Sequence, residues 1–136
     1  MALVSFDRFS LAEGSPIYSQ IIRFIKAGIV AGTIADGDAV PSRRALSALL
    51  GVNPNTVQKA YRILEEEGII TSHTGAKSLV AADAQTVERV RRELLSEEAG
   101  ALVRAMREMG VDREEALDEI RRLWDAPPEA EKEDAP

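Results

Sequence analysis

Apolar side chains recur at helical spacing in the first quarter of the chain. A helix is predicted to begin at Ser15 and Pro16, with Ser15 as the N-cap residue and Pro16 in the first helical position. Its apolar positions are Ile17, Ile21, Phe24, Ile25 and Ile29, with Tyr18 and Ile22 widening the stripe. Gly32 is expected to end this helix, and residues 35–38 are expected to form a turn. Residues 1–10 alternate loosely, which predicts a short strand or an extended arm.

Two further helices are predicted between Ser42 and Gly68. Ser42 and Asn53 are typical N-cap residues, and Pro54 would occupy the first position of the second helix. The predicted buried positions are Leu46, Leu49 and Leu50 in the first helix and Val57, Ala60, Tyr61 and Leu64 in the second. Gly51 would provide the positive φ of the turn between them. A short helix, a turn with glycine and a second helix are typical of a helix-turn-helix, whose second helix enters the DNA major groove.

The pattern changes after Gly68. Residues 69–71 and 78–80 are short β-prone runs around a turn-like segment, which predicts a hairpin that would form a wing. Helical spacing returns from Ala84 to Met109, and Asp112 with Glu115 predicts the capped start of a last helix. These elements predict a mainly α fold with a small β-hairpin, in which a winged helix-turn-helix domain precedes a C-terminal two-helix dimerisation segment. The expected ranges are 1–82 for the DNA-binding domain with an N-terminal arm at 1–14, 83–125 for the helical segment and 126–136 for a disordered acidic tail.

Composition narrows the chemistry of this 136-residue chain. It has no cysteine and a single histidine, which excludes disulfides, thiolate metal sites and a multi-histidine metal centre. No phosphate loop or paired-carboxylate motif is present, so we expect neither an enzyme nor a cofactor. No apolar run approaches the roughly 20 residues that cross a bilayer, and residues 1–10 lack a secretory pattern. The expectation is therefore a cytoplasmic protein without a membrane partner.

Charge is distributed unevenly along the chain. Residues 1–80 carry eight basic and seven acidic side chains, whereas residues 81–136 carry nine basic and sixteen acidic ones. Residues 39–64 contain four basic side chains and no acidic one. A local basic surface can bind phosphate on an acidic protein, because screening over about 10 Å lets near charges dominate. Ordinary solvated surface remains the alternative explanation of these four cations.

The polar residues of the second helix suggest how it would meet double-stranded DNA. Asparagine and glutamine can pair with adenine edges, and lysine can reach guanine or phosphate. Because Glu65, Glu66 and Glu67 would repel phosphate, the helix is expected to enter the groove by its N-terminal end. The predicted DNA-binding residues are Arg43, Arg44, Asn53, Asn55, Thr56, Gln58, Lys59 and Arg62, with His73, Thr74, Gly75 and Lys77 in the hairpin. The alternatives are a turn histidine without a role and a helical hairpin that only packs.

Residues 15–80 resemble the N-terminal winged helix-turn-helix domain of the GntR family of bacterial transcription regulators. The matching runs are Pro16 to Ile21, Val40 to Leu46, Asn53 to Tyr61, Leu64-Glu65 and Glu67 to Ile70. The short C-terminal part and the run Asn-Pro-Asn-Thr-Val are similar to the YtrA subfamily.

The resemblance implies that Arg44 touches DNA, that Asn53, Asn55, Thr56, Gln58 and Lys59 form the reading end of the helix, and that Gly75 is the wing-tip glycine. It also implies a transporter operon as the target. The sequence departs from the family at Asp38-Ala39, where a basic residue is common, and within the wing, where arginines and a second glycine are common.

The last two helices are too small to bury an adequate core alone. A second copy of the chain is the expected partner, since a homodimer would place two recognition helices about 34 Å apart. The predicted interface residues are Val87, Val90, Leu94, Leu102, Val103, Met106, Leu117, Ile120, Leu123 and Trp124. Packing within a monomer is the alternative. An unknown small-molecule effector, if one exists, is expected at the dimer interface or between the winged domain and the helices.

Two function classes therefore compete. The first is a homodimeric, sequence-specific DNA-binding repressor. The second is a winged-helix module that binds protein and not DNA. Only the first requires an affinity for DNA that falls steeply with salt concentration.

Overall fold

The computed structural model describes residues 2–72 and 77–127, and within them it contains five helices and one two-stranded sheet. In chain order the elements are α1 (Ile17–Ala31), α2 (Arg43–Leu50), α3 (Pro54–Glu66), β1 (Ile70–Thr71), β2 (Leu79–Val80), α4 (Ala84–Glu108) and α5 (Arg113–Trp124). This confirms the mainly helical fold class with a small hairpin. The chain divides into two compact units between Leu95 and Ser96. That the last helices serve dimerisation remains a prediction.

Helices α1, α2 and α3 build the core of the first unit. The predicted inward positions of α3 are all buried, and they meet the buried isoleucines of α1 and Leu46 of α2. The antiparallel hairpin closes the core, with Ile70 opposite Val80 and Thr71 opposite Leu79. Val87, Val90 and Leu94 at the start of α4 pack against the same core, so this part of α4 belongs to the first unit.

The N-terminal arm adds an extended segment beside the hairpin. The Val4 amide donates to the Ala39 carbonyl at 2.7 Å, and the Ala39 amide donates to the Ala2 carbonyl at 2.8 Å. Ala39 also bridges Leu79 of β2 in antiparallel fashion. Phe6 is buried, and its ring stacks on Phe24 of α1 with centroids 4.8 Å apart. The prediction of a short strand or extended arm is therefore confirmed.

The start of α1 differs from the prediction by one residue. Pro16, not Ser15, occupies the N-cap position, and no side chain caps the helix there. The Gln20 side chain holds the entering chain instead, because its amide nitrogen donates to the Ala12 and Ser15 carbonyls at 2.8 and 3.0 Å. The assignment of Ser15 as the cap is thus wrong, because the Gln20 side chain holds the entering chain in place of a capping side chain.

The buried face of α2 also differs from the prediction. Leu46 is buried and Leu50 is half-buried, but Leu49 is 64% exposed. Ser47 takes the inner position because its hydroxyl donates to the Val52 carbonyl at 2.6 Å. With about 100° of rotation per residue, the arc from Leu46 through Leu50 to Ser47 faces inward, and Leu49 falls outside it. The prediction that Leu49 is buried is therefore wrong.

A charged cluster joins three helices within the first unit. Lys26 of α1 is only 8% exposed, and its ammonium lies 2.8 Å from a Glu67 carboxylate oxygen and 3.5 Å from one of Glu93. Arg89 of α4 donates to the Glu67 carbonyl at 3.1 Å and pairs with Glu93 at 3.4 Å. A buried lysine needs such partners, because an unpaired buried charge is strongly destabilising. The cluster fixes the start of α4 beside the end of α3.

The second unit consists of the later part of α4 and helix α5. Asp112 caps α5 by accepting a hydrogen bond from the Glu115 amide at 2.9 Å, which confirms the predicted cap. None of the described residues from 96 to 127 is buried. Across the whole described part of the chain, no helix combines the length and apolar character required to cross a membrane. The expected disordered tail lies largely outside the described residues.

Candidate nucleic-acid interface

Local hydrogen bonds fix the turn between α2 and α3. Gly51 adopts φ of +68°, and its amide donates to the Ser47 carbonyl at 2.9 Å. The Asn53 side chain then caps α3 by accepting from the Asn55 amide at 2.7 Å. Glycine adopts such a φ without the steric penalty of a Cβ atom, and asparagine is among the best caps. The sequence of the turn therefore determines where α3 begins and how it is oriented relative to α2.

Helix α3 has two opposed faces with the same internal spacing. The buried face consists of Val57, Ala60, Tyr61 and Leu64. The exposed face consists of Asn55, Gln58, Lys59 and Arg62, shifted by two residues and thus about 200° around the helix. Thr56 is half-buried at the edge between them. The structure thus brings most of the predicted reading residues together on one solvent-facing surface.

The Lys59 side chain lies over an aromatic ring of α1. Its ammonium is 4.1 Å from the centroid of the Tyr18 ring. A cation over a tyrosine face is attracted by the ring quadrupole, by about 0.5–1 kcal/mol at an exposed site. Tyr18 therefore restricts where this exposed cation sits relative to the N-terminal half of α3.

Arg43 is held by protein groups at the start of α2. Its guanidinium lies 5.2 Å from the centroid of the Tyr61 ring and 3.5 Å from a Glu65 carboxylate oxygen. Burial raises the pKa of the Tyr61 hydroxyl, an effect that the nearby Arg43 partly offsets. The hydroxyl therefore stays protonated and donates to the Pro41 carbonyl at 2.7 Å. Arg44, in contrast, is exposed.

The acidic end of α3 is tied into the protein. Glu65 pairs with Arg43 and accepts a hydrogen bond from the Ser72 hydroxyl, while Glu67 pairs with Lys26. Only Glu66 among the three is exposed. The predicted repulsion of phosphate by all three carboxylates is therefore reduced, and of the two exposed cations Lys59 lies nearer the opposite end of the helix.

The hairpin is the part of the interface that the structure describes least. Lys77 is exposed just before β2. His73, Thr74 and Gly75 lie outside the described residues. Their assignment to a DNA-binding wing tip stays a prediction.

Tyr18 and Ser47 contribute to the interface in ways that the residue pattern alone did not indicate. Helical spacing predicts only that Tyr18 widens the apolar stripe of α1, and it does not predict the contact of its ring with Lys59. Helical spacing predicts no role for Ser47, whose hydroxyl donates to the Val52 carbonyl in the turn before α3. Both interactions join residues of different elements or a turn, so helical periodicity cannot reveal them.

The predicted dimer residues fall into two groups. Val90 is buried in the core of the first unit, and Val87 and Leu94 pack against it, so their apolar surface is largely used within the chain. In the second unit, Leu102 is 43%, Val103 50% and Trp124 84% exposed. An apolar groove with a volume of about 480 Å³ lies between the two helices there. It is lined by Leu102, Val103, Met106, Leu117 and Ile120, among others.

Sequence comparison places this arrangement among bacterial regulators. Residues 17–80 match the family described as bacterial regulatory proteins, gntR family. The chain is 34% identical over 109 residues to the uncharacterized HTH-type transcriptional regulator YhcF of Bacillus subtilis, a match that covers 80% of this chain and 90% of the relative. It is 42% identical over 74 residues to the HTH-type transcriptional repressor YtrA of the same organism, a match that covers 54% of this chain and 57% of the relative.

A solved structure supports the same assignment. A GntR family transcriptional regulator from Listeria monocytogenes matches with a TM-score of 0.74 at 30% identity, over 82% of this chain and 98% of that chain. The fold confirms the predicted winged helix-turn-helix, and the relatives include the YtrA type that the sequence resembles. The chain therefore belongs to the GntR family of bacterial regulatory proteins.

Proposed function

We propose that this protein is a sequence-specific DNA-binding repressor that binds a two-fold symmetric operator as a homodimer. One observation carries the proposal: the exposed face of α3 is polar and cationic from its first turn onward, whereas its opposite face is sealed in the core. Membership of a family of regulatory proteins supports it. In this proposal α3 is the recognition helix and the hairpin, with residues 72–78, is the wing.

The chemistry of the exposed face suits the major groove. Asn55 and Gln58 carry amides that can pair with adenine, and Lys59 and Arg62 carry cations that can reach guanine or phosphate. Arg44 and the N-terminal end of α3 would face the backbone, where free N–H groups and the helix dipole favour a phosphate. Residues 39–64 contain no acidic side chain that would oppose this approach.

The homodimer is proposed from the second unit. Its apolar side chains include four exposed ones, Leu102, Val103, Leu123 and Trp124, and three half-buried ones, Met106, Leu117 and Ile120. Two short helices cannot bury a sufficient core alone, and a second copy offers a surface of the same kind. A dimer would also present two recognition helices to two half-sites.

The regulatory role is proposed from the relatives. YtrA of Bacillus subtilis is a repressor by name, which favours repression here as well. The resemblance to its subfamily suggests a transporter operon as the target and the cytoplasm as the location. A small-molecule effector would be accommodated at the dimer interface. No enzymatic activity forms part of the proposal.

Selection of bound duplexes from a random pool tests this function. We expect enrichment of one sequence with two-fold symmetry, and footprinting at several salt concentrations should show an affinity that falls steeply with salt. An asymmetric site would contradict the homodimer. Absence of salt-dependent duplex affinity would leave protein binding as the function of the winged domain.

Two substitutions on α3 separate backbone contact from base reading. Lys59→Ala is expected to weaken binding to all duplexes and to reduce the slope of log affinity against log salt by about one unit, if Lys59 holds a phosphate. Gln58→Ala is expected to change the base preference at one position and leave the salt slope unaltered. Arg104→Ala in the second unit removes a cation outside the proposed DNA interface and is the control for the loss of one positive charge. A Lys59→Ala loss confined to one base position would instead assign base reading to Lys59.

A further inference from the structure

We propose that Glu65 is a positioning residue that holds the wing in place relative to the recognition helix. The proposal rests on the proposed function, since it concerns how the same surface meets DNA. Glu65 lies in the last turn of α3, is half-buried, and would be unfavourable next to phosphate as a bare carboxylate. Its two oxygens instead bind groups from two different parts of the first unit.

One oxygen of Glu65 binds the base of the wing. The Ser72 hydroxyl donates to Glu65 Oε2, and the Ser72 and Ser78 hydroxyl oxygens lie 3.0 Å apart within hydrogen-bond distance. Ser72 directly follows β1 and Ser78 directly precedes β2. The carboxylate is therefore linked to Ser72 and, through it, to Ser78, the two residues that flank the segment assigned to the wing in the proposed function.

The other oxygen of Glu65 binds the first helix of the motif. Arg43 Nη2 lies 3.5 Å from Glu65 Oε1, and the guanidinium is held over the Tyr61 ring. Tyr61 is itself buried, and its hydroxyl donates a hydrogen bond to the Pro41 carbonyl. This side of the contact is thus anchored in the core, whereas the wing side joins two short strands of two residues each.

Because the Arg43 side of Glu65 is anchored and the Ser72 side is not, Glu65 positions the wing and not the reverse. The hairpin has two strands of two residues each, so few backbone hydrogen bonds join them. The β2 side is also held by backbone hydrogen bonds from Val40 to Ser78 and between Val80 and residues 37–38, which leaves the β1 side at Ser72 as the end that Glu65 holds. A charge-assisted hydrogen bond to an anchored carboxylate is among the stronger bonds available to it. Glu65 thereby fixes the Ser72 end of the wing beside α3, and it contributes to duplex affinity without touching DNA.

Glu65→Ala and Glu66→Ala form a matched pair for testing this. Both remove one negative charge from the same turn of α3, but Glu66 is exposed and lies outside the contacts described above. Removal of charge alone should raise duplex affinity slightly, as expected for Glu66→Ala. Glu65→Ala should lower it, by about tenfold relative to Glu66→Ala. Ser72→Ala, which leaves Arg43 and Glu65 paired, should lower it by a smaller factor and serves if Glu65→Ala folds poorly.

A double-mutant cycle with Lys77 tests whether the effect passes through the wing. If it does, Glu65→Ala in a Lys77→Ala background should lose less affinity than in the unsubstituted chain, because the wing contact is already impaired. Equal loss in both backgrounds would overturn the proposal, and so would identical behaviour of the Glu65 and Glu66 variants. Hydrogen exchange of the free protein gives a readout independent of DNA: amides of 69–72 and 77–81 should exchange faster in Glu65→Ala and Ser72→Ala than in Glu66→Ala.

The two proposals can fail separately. If the unsubstituted chain shows no salt-dependent duplex affinity, the proposed function fails, and hydrogen exchange alone decides the positioning. Equal exchange in the Glu65 and Glu66 variants would then overturn the role of Glu65. Faster exchange confined to the wing segments would support it.

Discussion

The two compact units use apolar residues in opposite ways. In the first unit, side chains from three helices, the arm, the hairpin and the start of α4 close around one core. In the second unit, no described side chain is buried, and an apolar groove stays open between the two helices. Both units show good helical periodicity and defined caps. Periodicity thus predicts which face is apolar, but only the number of surrounding elements decides whether that face is covered.

This contrast separates two sources of stability. The first unit has partners for its apolar face within one chain, so its stability should be independent of protein concentration. The second unit would gain its partners from another copy, so its stability should rise with concentration. Substitutions in the first unit should therefore change the free energy of unfolding, whereas substitutions in the second unit should change the strength of dimerisation.

The largest expected effect on folding is that of Leu64→Ala in the core of the first unit. Leu64 is fully buried on α3, so the change leaves a cavity and should lower the free energy of unfolding by about 2–5 kcal/mol. Urea denaturation followed by circular dichroism measures this. Leu49→Ala, an exposed leucine on α2, is the control and should change stability little. Similar losses for both would contradict the inward face assigned to these helices.

The next effect concerns the open face of the second unit. Val103→Glu places a carboxylate in the proposed interface and should weaken the dimer by about a hundredfold or more, because the charge would have to be buried unpaired. Sedimentation should show monomers, while the first unit unfolds as before. Ala105→Glu adds the same charge to an exposed position about 200° away on α4 and should leave the dimer intact. A Val103→Glu protein that is still dimeric would place the interface elsewhere.

The smallest effect is a pH dependence at the start of α4. A hydrogen bond from the Thr86 amide, 2.8 Å long, lowers the pKa of Asp83 below its ordinary value of 3.8. Because the folded pKa lies below the unfolded one, the stabilisation is complete above the unfolded pKa and is lost as pH falls through the folded pKa. Asp83→Asn should therefore flatten the loss of thermal stability on acidification below about pH 4. Asp7→Asn, an exposed change in the arm, should not.

Local chemistry explains which parts of the fold were predictable from sequence. Ser42, Asn53 and Asp112 were each identified as caps, because a cap acts on amides two or three residues away. The inward face of α3 was likewise predictable from spacing alone. The polar face follows from the same spacing, and so most of the candidate reading residues could be named in advance.

Interactions between distant residues explain what the sequence did not reveal. Nothing local to Lys26 distinguishes it from a surface lysine, yet it is buried between α1, α3 and α4. Arg43 is a predicted DNA-binding residue, and nothing in the sequence indicates that its guanidinium lies beside Tyr61 and Glu65. Leu49 is predicted to be a core residue but is exposed, because Ser47 occupies the inner side of α2. Each of these depends on a partner that only the folded chain brings near.

The two faces of α3 share no residue, and this separation has a consequence for redesign. Asn55, Gln58 and Arg62 can be randomised together without altering any side chain that fills the core. A library built at these three positions should retain folded members at high frequency, since surface substitutions usually change stability by less than about 0.5 kcal/mol. Under the proposed function, the helix is therefore a suitable starting point for evolving regulators with new operator preferences on an unchanged scaffold.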